Sequence, residues 1–292
     1  MKKIALVCTC YNRKNKTIRA FQQLHACVEK ENFDIVDYYL TDDGSTDGTS
    51  EEIVKHIPEI NIFKGSGDLF WAGGMGVAFE KALEKEYDGY ILFNDDVDFY
   101  DNSIKQLLEC DIYCNQKYGQ GGLYVGTTVD PVSKSITYGG NKLQSSIRLV
   151  YEKVVPKQGE YKEVDLTNFN MVLISKNVAN RLGNLSKEYT HGLADFDYSL
   201  RAKKAGLPVL LASGSIGECV FDHKPYQPLC FDPFEIRIKR LNSPKEGHKN
   251  YLLFTYKFFP LMGSLMWLHI MSQVYAPFLS KLFYRIKKVM HK

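Results

Sequence analysis

Apolar runs alternate with helix-like segments through the first 65 residues of the chain. Apolar runs at 4–9, 35–40 and 60–63 are separated by two segments, 14–28 and 50–56, in which apolar residues recur at helical spacing. This βαβαβ order predicts a parallel sheet covered by helices. Right-handed crossovers place the loops that follow these strands at one edge of the sheet. We therefore expect an α/β fold in which ligand-binding residues lie in the loops at that edge of the sheet.

A polar triplet follows the next apolar run. Residues 90–93 (Tyr-Ile-Leu-Phe) predict a fully buried strand, and Asn94, Asp95 and Asp96 stand where this strand leaves the sheet. Ligands bind at the carboxyl ends of strands in open α/β sheets. Carboxylate oxygens at that place suit Mg²⁺ or Mn²⁺ carried on a substrate phosphate. A polar loop that caps the following helix is the alternative interpretation.

The loop at 41–49, T-D-D-G-S-T-D-G-T, is also rich in acidic and turn residues. It resembles the start of an EF-hand, but the twelfth position is Val54 where a bidentate Glu is required, so a calcium loop of that type is excluded. A plain turn that leads into a helix N-cap remains the alternative.

The segment at 64–76 contains five glycines and precedes a helix predicted at about 77–85. Glycines permit the backbone to approach a ligand closely. The segment is neither a P-loop nor a dinucleotide fingerprint, because it lacks G-K-[ST] and its glycine spacing is wrong. Trp71, inside it, is equally typical of a core residue.

Four motifs occur along the chain: T-C-Y-N-R at 9–13, the loop at 41–49, N-D-D at 94–96 and A-D-F-D-x-x-L-R-A from Ala194. In this combination and order they resemble family 2 glycosyltransferases of the GT-A fold. The resemblance covers roughly residues 3–225 and is strongest to bacterial rhamnosyltransferase-like enzymes that build surface polysaccharides. It implies a GT-A catalytic domain at 1–230, with a Rossmann-like, mostly parallel sheet flanked by helices. Residues 231–292 are expected to form a separate helical segment that associates with a membrane or with a second copy of the chain.

The resemblance also implies a donor site and a metal site. Thr9 and Asp42 would contact the nucleobase and ribose, and the 65–76 loop would wrap the sugar and diphosphate. Asp96 would coordinate Mn²⁺ or Mg²⁺, and His223 is a second candidate ligand, with a loop histidine as the alternative. The implied donor-binding residues are Thr9, Tyr11, Arg13, Asp42, Gly67, Asp68, Trp71, Asn94 and Asp95.

Asp195 matches the acid that serves as general base in the family, although the Glu that usually precedes it is Ala194 here. One base and a metal-bound leaving group on opposite sides of the sugar imply a single displacement with inversion. We expect the helix dipole to depress the pKa of Asp195. Asp197 is expected to pair with Arg201, because i and i+4 residues are neighbours on a helix.

The tail is basic and apolar. Residues 231–292 hold 11 Lys and Arg against three Asp and Glu, and 258–280 carry no formal charge. The length of this uncharged stretch suits a membrane span, but its prolines and polar residues favour a segment that lies in an anionic membrane interface. Soluble helical packing or a homodimer contact is the alternative.

The predicted function is an inverting hexosyl transfer from dTDP-rhamnose or a UDP-sugar to a lipid-linked or surface glycan. The predicted location is cytoplasmic, peripheral on the inner face of the membrane, since the N-terminal apolar run is too short for a signal peptide and the seven cysteines form no paired sets. No nucleic-acid partner is expected. The alternatives are a non-catalytic nucleotide-sugar-binding scaffold and a sugar nucleotidyltransferase, which needs glycines after the first strand that this chain lacks.

Overall fold

The computed structural model describes residues 1–221 and 226–290, and the side chains in these ranges except at 245, 283 and 285–290. The chain forms two compact units. Unit 1 comprises Met1–Leu143, Tyr151–Thr190 and Ala194–Phe221. Unit 2 comprises Gln144–Val150, His191–Leu193 and Asp222–Lys292.

Unit 1 contains strands and helices in alternation. Its strands are β1 (Lys3–Cys10), β2 (Ile35–Asp42), β3 (Asn61–Lys64), β4 (Gly89–Phe93), β5 (Asp98–Phe99), β6 (Leu123–Val129), β7 (Ile136–Tyr138), β8 (Gly140–Leu143), β9 (Tyr151–Lys153), β10 (Lys162–Glu163), β11 (Leu166–Thr167), β12 (Met171–Ser175) and β13 (Val209–Glu218). Its helices are α1 (Lys14–Val28), α2 (Thr49–His56), α3 (Phe70–Leu83), α4 (Ser103–Tyr118), α5 (Lys176–Leu182) and α6 (Ala194–Lys204).

The large sheet has the strand order β10-β13-β6-β12-β4-β1-β2-β3, with β5 paired to β13 and β7 to β6. β1 lies between β2 and β4 and is parallel to both, and β3 is parallel to β2. The parallel βαβαβ start is therefore confirmed. β12 is inserted antiparallel between β4 and β6, whereas β13 runs parallel to β6. A smaller sheet has the order β11-β8-β9.

Helices cover both faces of the large sheet. Along β1, the fully buried Ile4 and Leu6 join the apolar cluster with α1, α2 and α4, whereas Ala5 and Val7 join the cluster with α3, α5 and α6. Successive side chains of a strand point to opposite faces, so an uninterrupted apolar strand requires this double cover. The sequence prediction of an α/β fold is confirmed.

Helix α3 begins at Phe70, seven residues before the predicted start near residue 77, so that prediction was wrong. Gly73, Gly74 and Gly76 lie inside the helix rather than in a ligand-wrapping loop. A Cβ atom at Gly74 would collide with the side chain of Thr9, so the glycine permits α3 to pack directly on β1. Only the residues before Phe70 remain as a loop.

The strand β9 is short, because only Tyr151–Lys153 pairs with β8. The residues before β9 form a turn that Ser145 stabilises. Its hydroxyl oxygen accepts hydrogen bonds from the backbone N–H groups of Ile147 at 3.3 Å and Arg148 at 3.1 Å.

Unit 2 is helical, as expected for residues 231–292. It contains α7 (Phe234–Asn242), α8 (His248–Phe258), α9 (Pro260–Tyr275) and α10 (Pro277–Met290), with short 3₁₀ turns at Leu229–Phe231 and Pro244–Glu246. Leu229, Ile270 and Val274 form its buried apolar centre. Across the described residues, the helices are too short or too polar to cross a membrane.

Candidate active site

Two loops meet at the carboxyl edge of the sheet, where the strand order changes direction around β1. One guanidinium nitrogen of Arg13, after β1, lies 3.0 Å from Asp95 Oδ1 and 3.1 Å from Asp96 Oδ2, after β4. Ligands of open α/β sheets bind at such a point of reversal. The structure therefore brings together three of the residues that the sequence assigned to donor and metal binding.

Asp95 is almost completely buried, and both of its carboxylate oxygens are occupied. Oδ1 faces Arg13, and Oδ2 accepts a hydrogen bond from the Thr17 hydroxyl at 2.9 Å. Burial raises the pKa of Asp95, and the Arg13 guanidinium acts in the opposite direction. This geometry makes Asp95 a support that fixes Arg13.

Asp96 differs from Asp95 in having a carboxylate oxygen without a partner. Its Oδ2 faces Arg13, but its Oδ1 is buried and accepts no hydrogen bond. A buried carboxylate oxygen of this kind is costly unless something pairs with it. Across the residues that the structure describes, no three His, Cys, Asp or Glu side chains form a metal cluster. Mg²⁺ is commonly held by one or two carboxylates together with substrate phosphates and water, so Asp96 fits a divalent ion brought by a diphosphate.

Asp42 is enclosed at the end of β2, with 1% of its surface exposed. It accepts hydrogen bonds from the Ser45 backbone N–H at 2.8 Å and from the Ser50 hydroxyl, and the Lys64 ammonium lies 3.6 Å away. Burial raises the pKa of Asp42, but the hydrogen bonds from Ser45 and Ser50 outweigh burial and leave the pKa below its ordinary value. Its carboxylate therefore shapes the 41–49 loop.

Asp43 was not singled out from the sequence, yet it holds the loop before α3. Its Oδ1 accepts the backbone N–H of Gly67 at 2.9 Å, and its Oδ2 accepts those of Leu69 at 3.0 Å and Phe70 at 3.1 Å. Gly67 (φ +93°) and Phe70 (φ +53°) both have left-handed backbone conformations. The carboxylate of Asp43 thus fixes a strained loop beside the site. The D-D pair in the sequence was the available signal.

The other predicted donor residues fall into two groups. Tyr11 and Asp68 are exposed at this edge. Thr9 and Trp71 are tied internally, because the Thr9 hydroxyl donates to the Thr41 carbonyl at 3.1 Å and Trp71 Nε1 donates to Asn94 Oδ1 at 2.7 Å. His223 lies outside the described residues.

Asp195 is the second residue of α6 and is half-buried. Its Oδ1 accepts the Phe196 backbone N–H at 2.9 Å, and the side chain of Asn168 also hydrogen-bonds to the carboxylate. Burial raises the pKa of Asp195 from 3.8 to about 6, against the opposing effect of these hydrogen bonds. The expected depression of this pKa was wrong, because desolvation outweighs the groups that favour the charged form.

The segment before β12 connects Asp195 with the 94–96 loop. Asn168 Oδ1 accepts from the Gly139 backbone N–H and from Asn141 Nδ2, each at 3.4 Å, which leaves the Asn168 NH₂ group for Asp195. Two residues later, the Asn170 carbonyl accepts the Asn94 backbone N–H at 3.0 Å. Sequence reasoning missed this segment, whose signal was the pair of amides at 168 and 170 directly before an apolar strand.

Asp197 has the structural role that its spacing predicted. It is fully buried, and its Oδ2 lies 2.7 Å from Arg201 Nε. Arg201 also donates to the carbonyls of Leu182 at 3.2 Å and Asn184 at 3.1 Å. The predicted Asp197–Arg201 pair is confirmed, and it anchors α6.

No family model and no curated protein matches the chain. Among solved structures, it is similar to a mannosyltransferase from Pyrobaculum calidifontis in complex with GDP-Man and Mn²⁺, with a TM-score of 0.52, 11% identity and coverage of 94% of this chain and 73% of that one. The chain has a GT-A-like glycosyltransferase fold. A mycobacterial protein is also similar, with a TM-score of 0.49, 12% identity and coverage of 77% and 68%. Within this fold, the segment at 168–170 connects the 94–96 loop with Asp195.

Proposed function

We propose that the chain is a metal-dependent, inverting glycosyltransferase of the family 2 type. It moves a sugar from a nucleoside diphosphate, dTDP-rhamnose or a UDP-sugar in the first instance, to a hydroxyl group of a lipid-linked or surface glycan. The unpartnered, buried Oδ1 of Asp96 carries the proposal. It is a hard oxygen ligand at the edge where a glycosyltransferase fold with an open α/β sheet binds its ligand.

Asp195 serves as the general base in this proposal. A base works best when its pKa lies near the working pH, because it must be ionised and still hold a proton well. The pKa of about 6 at Asp195 meets both conditions. The carboxylate takes the proton of the acceptor hydroxyl while that oxygen forms its bond to the anomeric carbon and the bond to the diphosphate breaks. The Asn168 amide orients the carboxylate.

Asp96 would hold the divalent ion, Mn²⁺ or Mg²⁺, which when bound neutralises the charge that develops on the leaving diphosphate. Arg13, already beside Asp96, supplies a fixed positive charge on the same side. Asp43 keeps the 65–70 loop in one conformation, so that its backbone is positioned for the donor before binding. With Asp195 as the single base and no carboxylate needed as a nucleophile, the sugar is transferred with inversion.

The pH dependence of transfer is expected to report Asp195. Only the ionised carboxylate accepts a proton, so kcat/KM should rise with pH, pass its midpoint at about pH 6 and level off above it. An Asp with the ordinary value of 3.8 would give a flat profile at that pH. Replacement of Asn168 by Ala removes a hydrogen bond that lowers the pKa and should move the midpoint upward. If kcat/KM of the parent protein did not rise with pH near pH 6, the assignment of Asp195 as the general base would be contradicted.

The melting temperature of the purified protein tests donor and metal together. We would measure it with UDP, dTDP, GDP and CDP, each with Mn²⁺, with Mg²⁺ and with EDTA; GDP is included because the Pyrobaculum enzyme holds GDP-Man. A ligand at 100 times its dissociation constant adds about 2.7 kcal/mol to the free energy of unfolding. We expect one nucleotide to raise the melting temperature, and to do so only with metal.

If no nucleotide shifted the melting temperature under any condition, the proposed nucleotide-sugar donor site would be contradicted. If a nucleotide raised the melting temperature equally with EDTA and with metal, Asp96 would not hold a metal ion for that nucleotide. The class of the donor would still be identified. Asp98→Asn is a matched control, because Asp98 pairs with Arg19 at 2.7 Å on the surface, two residues from Asp96. It should leave every shift unchanged.

A further inference from the structure

Helix α9 exposes large apolar side chains along one face. Leu261, Leu265 and Leu268 follow the i, i+4, i+7 spacing, and all three are exposed, as is Trp267. The helix contains no Asp, Glu, Lys or Arg. A surface helix of a globular protein normally carries charged or polar residues on its outer face. The outer face of α9 is therefore suited to contact an apolar surface rather than water.

The next helix repeats the feature. Phe278, Leu279 and Leu282 of α10 are exposed, Phe278 at 77% of its surface. The two helices are held together by hydrogen bonds between Ser272 and Ser280 and between His269 and Tyr284, each at 3.0 Å. We call the six exposed side chains Leu261, Leu265, Leu268, Phe278, Leu279 and Leu282 the apolar set. A soluble protein rarely exposes this many large apolar side chains on two neighbouring helices without a binding function.

The charge around the apolar set indicates what it meets. Among the described side chains from 247 to 284 there are three lysines, Lys249, Lys257 and Lys281, and no Asp or Glu. Lys257 and Lys281 lie on α8 and α10, among the apolar helices. A second copy would oppose positive charge with positive charge if it presented the same surface, which disfavours a symmetric dimer through this face. An anionic lipid surface has negative head groups above an apolar layer. The head groups complement the lysines, and the apolar layer complements the apolar set.

We infer that the outer surface of α9 and α10 docks the protein on an anionic lipid bilayer. The apolar set enters the boundary between head groups and acyl chains, and the lysines remain at the level of the head groups. The helices lie along the surface of the bilayer. This inference concerns the attachment of the protein and is independent of its chemistry, since neither Asp96 nor Asp195 takes part.

Co-sedimentation of the full chain with vesicles tests the inference. Vesicles of phosphatidylcholine alone would be compared with vesicles in which phosphatidylglycerol replaces part of it. We expect at least tenfold stronger partitioning to the anionic vesicles, on the order of what two or more lysines near such a surface contribute. Added salt should weaken this preference, because it screens the charges. Equal or absent binding to the two vesicle types would overturn the inference.

A double substitution separates the apolar contribution from the charge. Leu265→Gln with Leu268→Gln keeps good helix formers and changes only exposed side chains, so the fold should be retained. Partitioning to anionic vesicles is expected to fall about 100-fold, as the loss of two buried leucines implies. Ile112→Gln is the matched control, because Ile112 is an exposed apolar residue on α4 in unit 1, and it should change nothing.

Unchanged vesicle binding in the double variant would overturn the inference. The same measurement would be joined to light scattering of the parent protein and the variant in solution. A dimer that the double substitution dissociates, with vesicle binding unaffected, would identify a second copy as the occupant of this surface. Circular dichroism spectra that superimpose would show that the comparison is between folded proteins.

Discussion

Replacement of Asp195 by Asn is expected to lower the rate of sugar transfer by about 10² to 10⁴-fold. The amide has nearly the shape of the carboxylate but cannot take the proton of the acceptor hydroxyl. Donor binding should be nearly unchanged, because Asp195 lies beside Asn168 and Phe196, and not among the residues around Arg13 and Asp96. The measurement is transfer of a radiolabelled sugar, together with the melting-temperature shift by nucleotide and metal.

Asp197→Asn provides the contrast, two residues along the same helix. Asp197 is fully buried against Arg201, so this change should lower the free energy of unfolding by about 3 kcal/mol. The folded fraction should still transfer sugar, because Asp197 takes no part in the chemistry. Full activity in the Asp195 variant would show that another group acts as the base. A folded but inactive Asp197 variant would show that the two roles are exchanged.

Asp96→Asn is expected to abolish the metal-dependent part of nucleotide binding and to reduce transfer by about 10³-fold. Stabilisation of developing charge by a cation contributes several kcal/mol, which corresponds to a loss of this size. The unliganded protein should remain folded, because the substitution removes only the half-exposed ion pair of Asp96 with Arg13, and Arg13 keeps its contact with Asp95. The measurements are the rate at increasing Mn²⁺ concentration and the melting temperature with nucleotide.

Two outcomes of the Asp96 experiment are informative. If higher Mn²⁺ restored most of the rate, Asp96 would be a ligand that strengthens binding of the ion without being essential for it. If the rate and its dependence on Mn²⁺ equalled those of the parent protein, the assignment of Asp96 to the metal would be wrong. Asp98→Asn again serves as the control for a charge change close by in sequence.

Sequence patterns predicted the first five elements of the fold because local periodicity decides them. Apolar residues recur at helical spacing in 14–28 and run without interruption in β1, and both elements formed as expected. The start of α3 was not predictable in this way. Five glycines indicate a loop by local preference, but Gly74 belongs to the helix because α3 packs on Thr9, a contact that is distant in the sequence.

The residues of the candidate site also divide into those that local sequence marks and those that only the folded structure brings together. Asp95 and Asp96 were marked by their position after a predicted strand, and Asp195 by its match to a motif of the resembling family. The supporting groups were not, because Asn168 reaches Asp195 only when β8, β11 and α6 come together. The raised pKa of Asp195 also results from the packing of elements that are distant in the sequence. Desolvation depends on what packs around the carboxylate, whereas the helix dipole is visible in the sequence alone.

The bond from the Asn94 amide to the Asn170 carbonyl extends the pairing of β4 with β12, in which Phe93 opposes Met171. One rung of this ladder therefore connects the strand that leads to Asp96 with the segment that orients Asp195. A ladder cannot slip by a single residue without turning every side chain to the other face. In the enzyme that we propose, mutations in the 65–70 loop would change the contacts to the donor and leave this ladder intact. New donor specificities would then be open to evolution, or to an engineer, without renewed selection for catalysis.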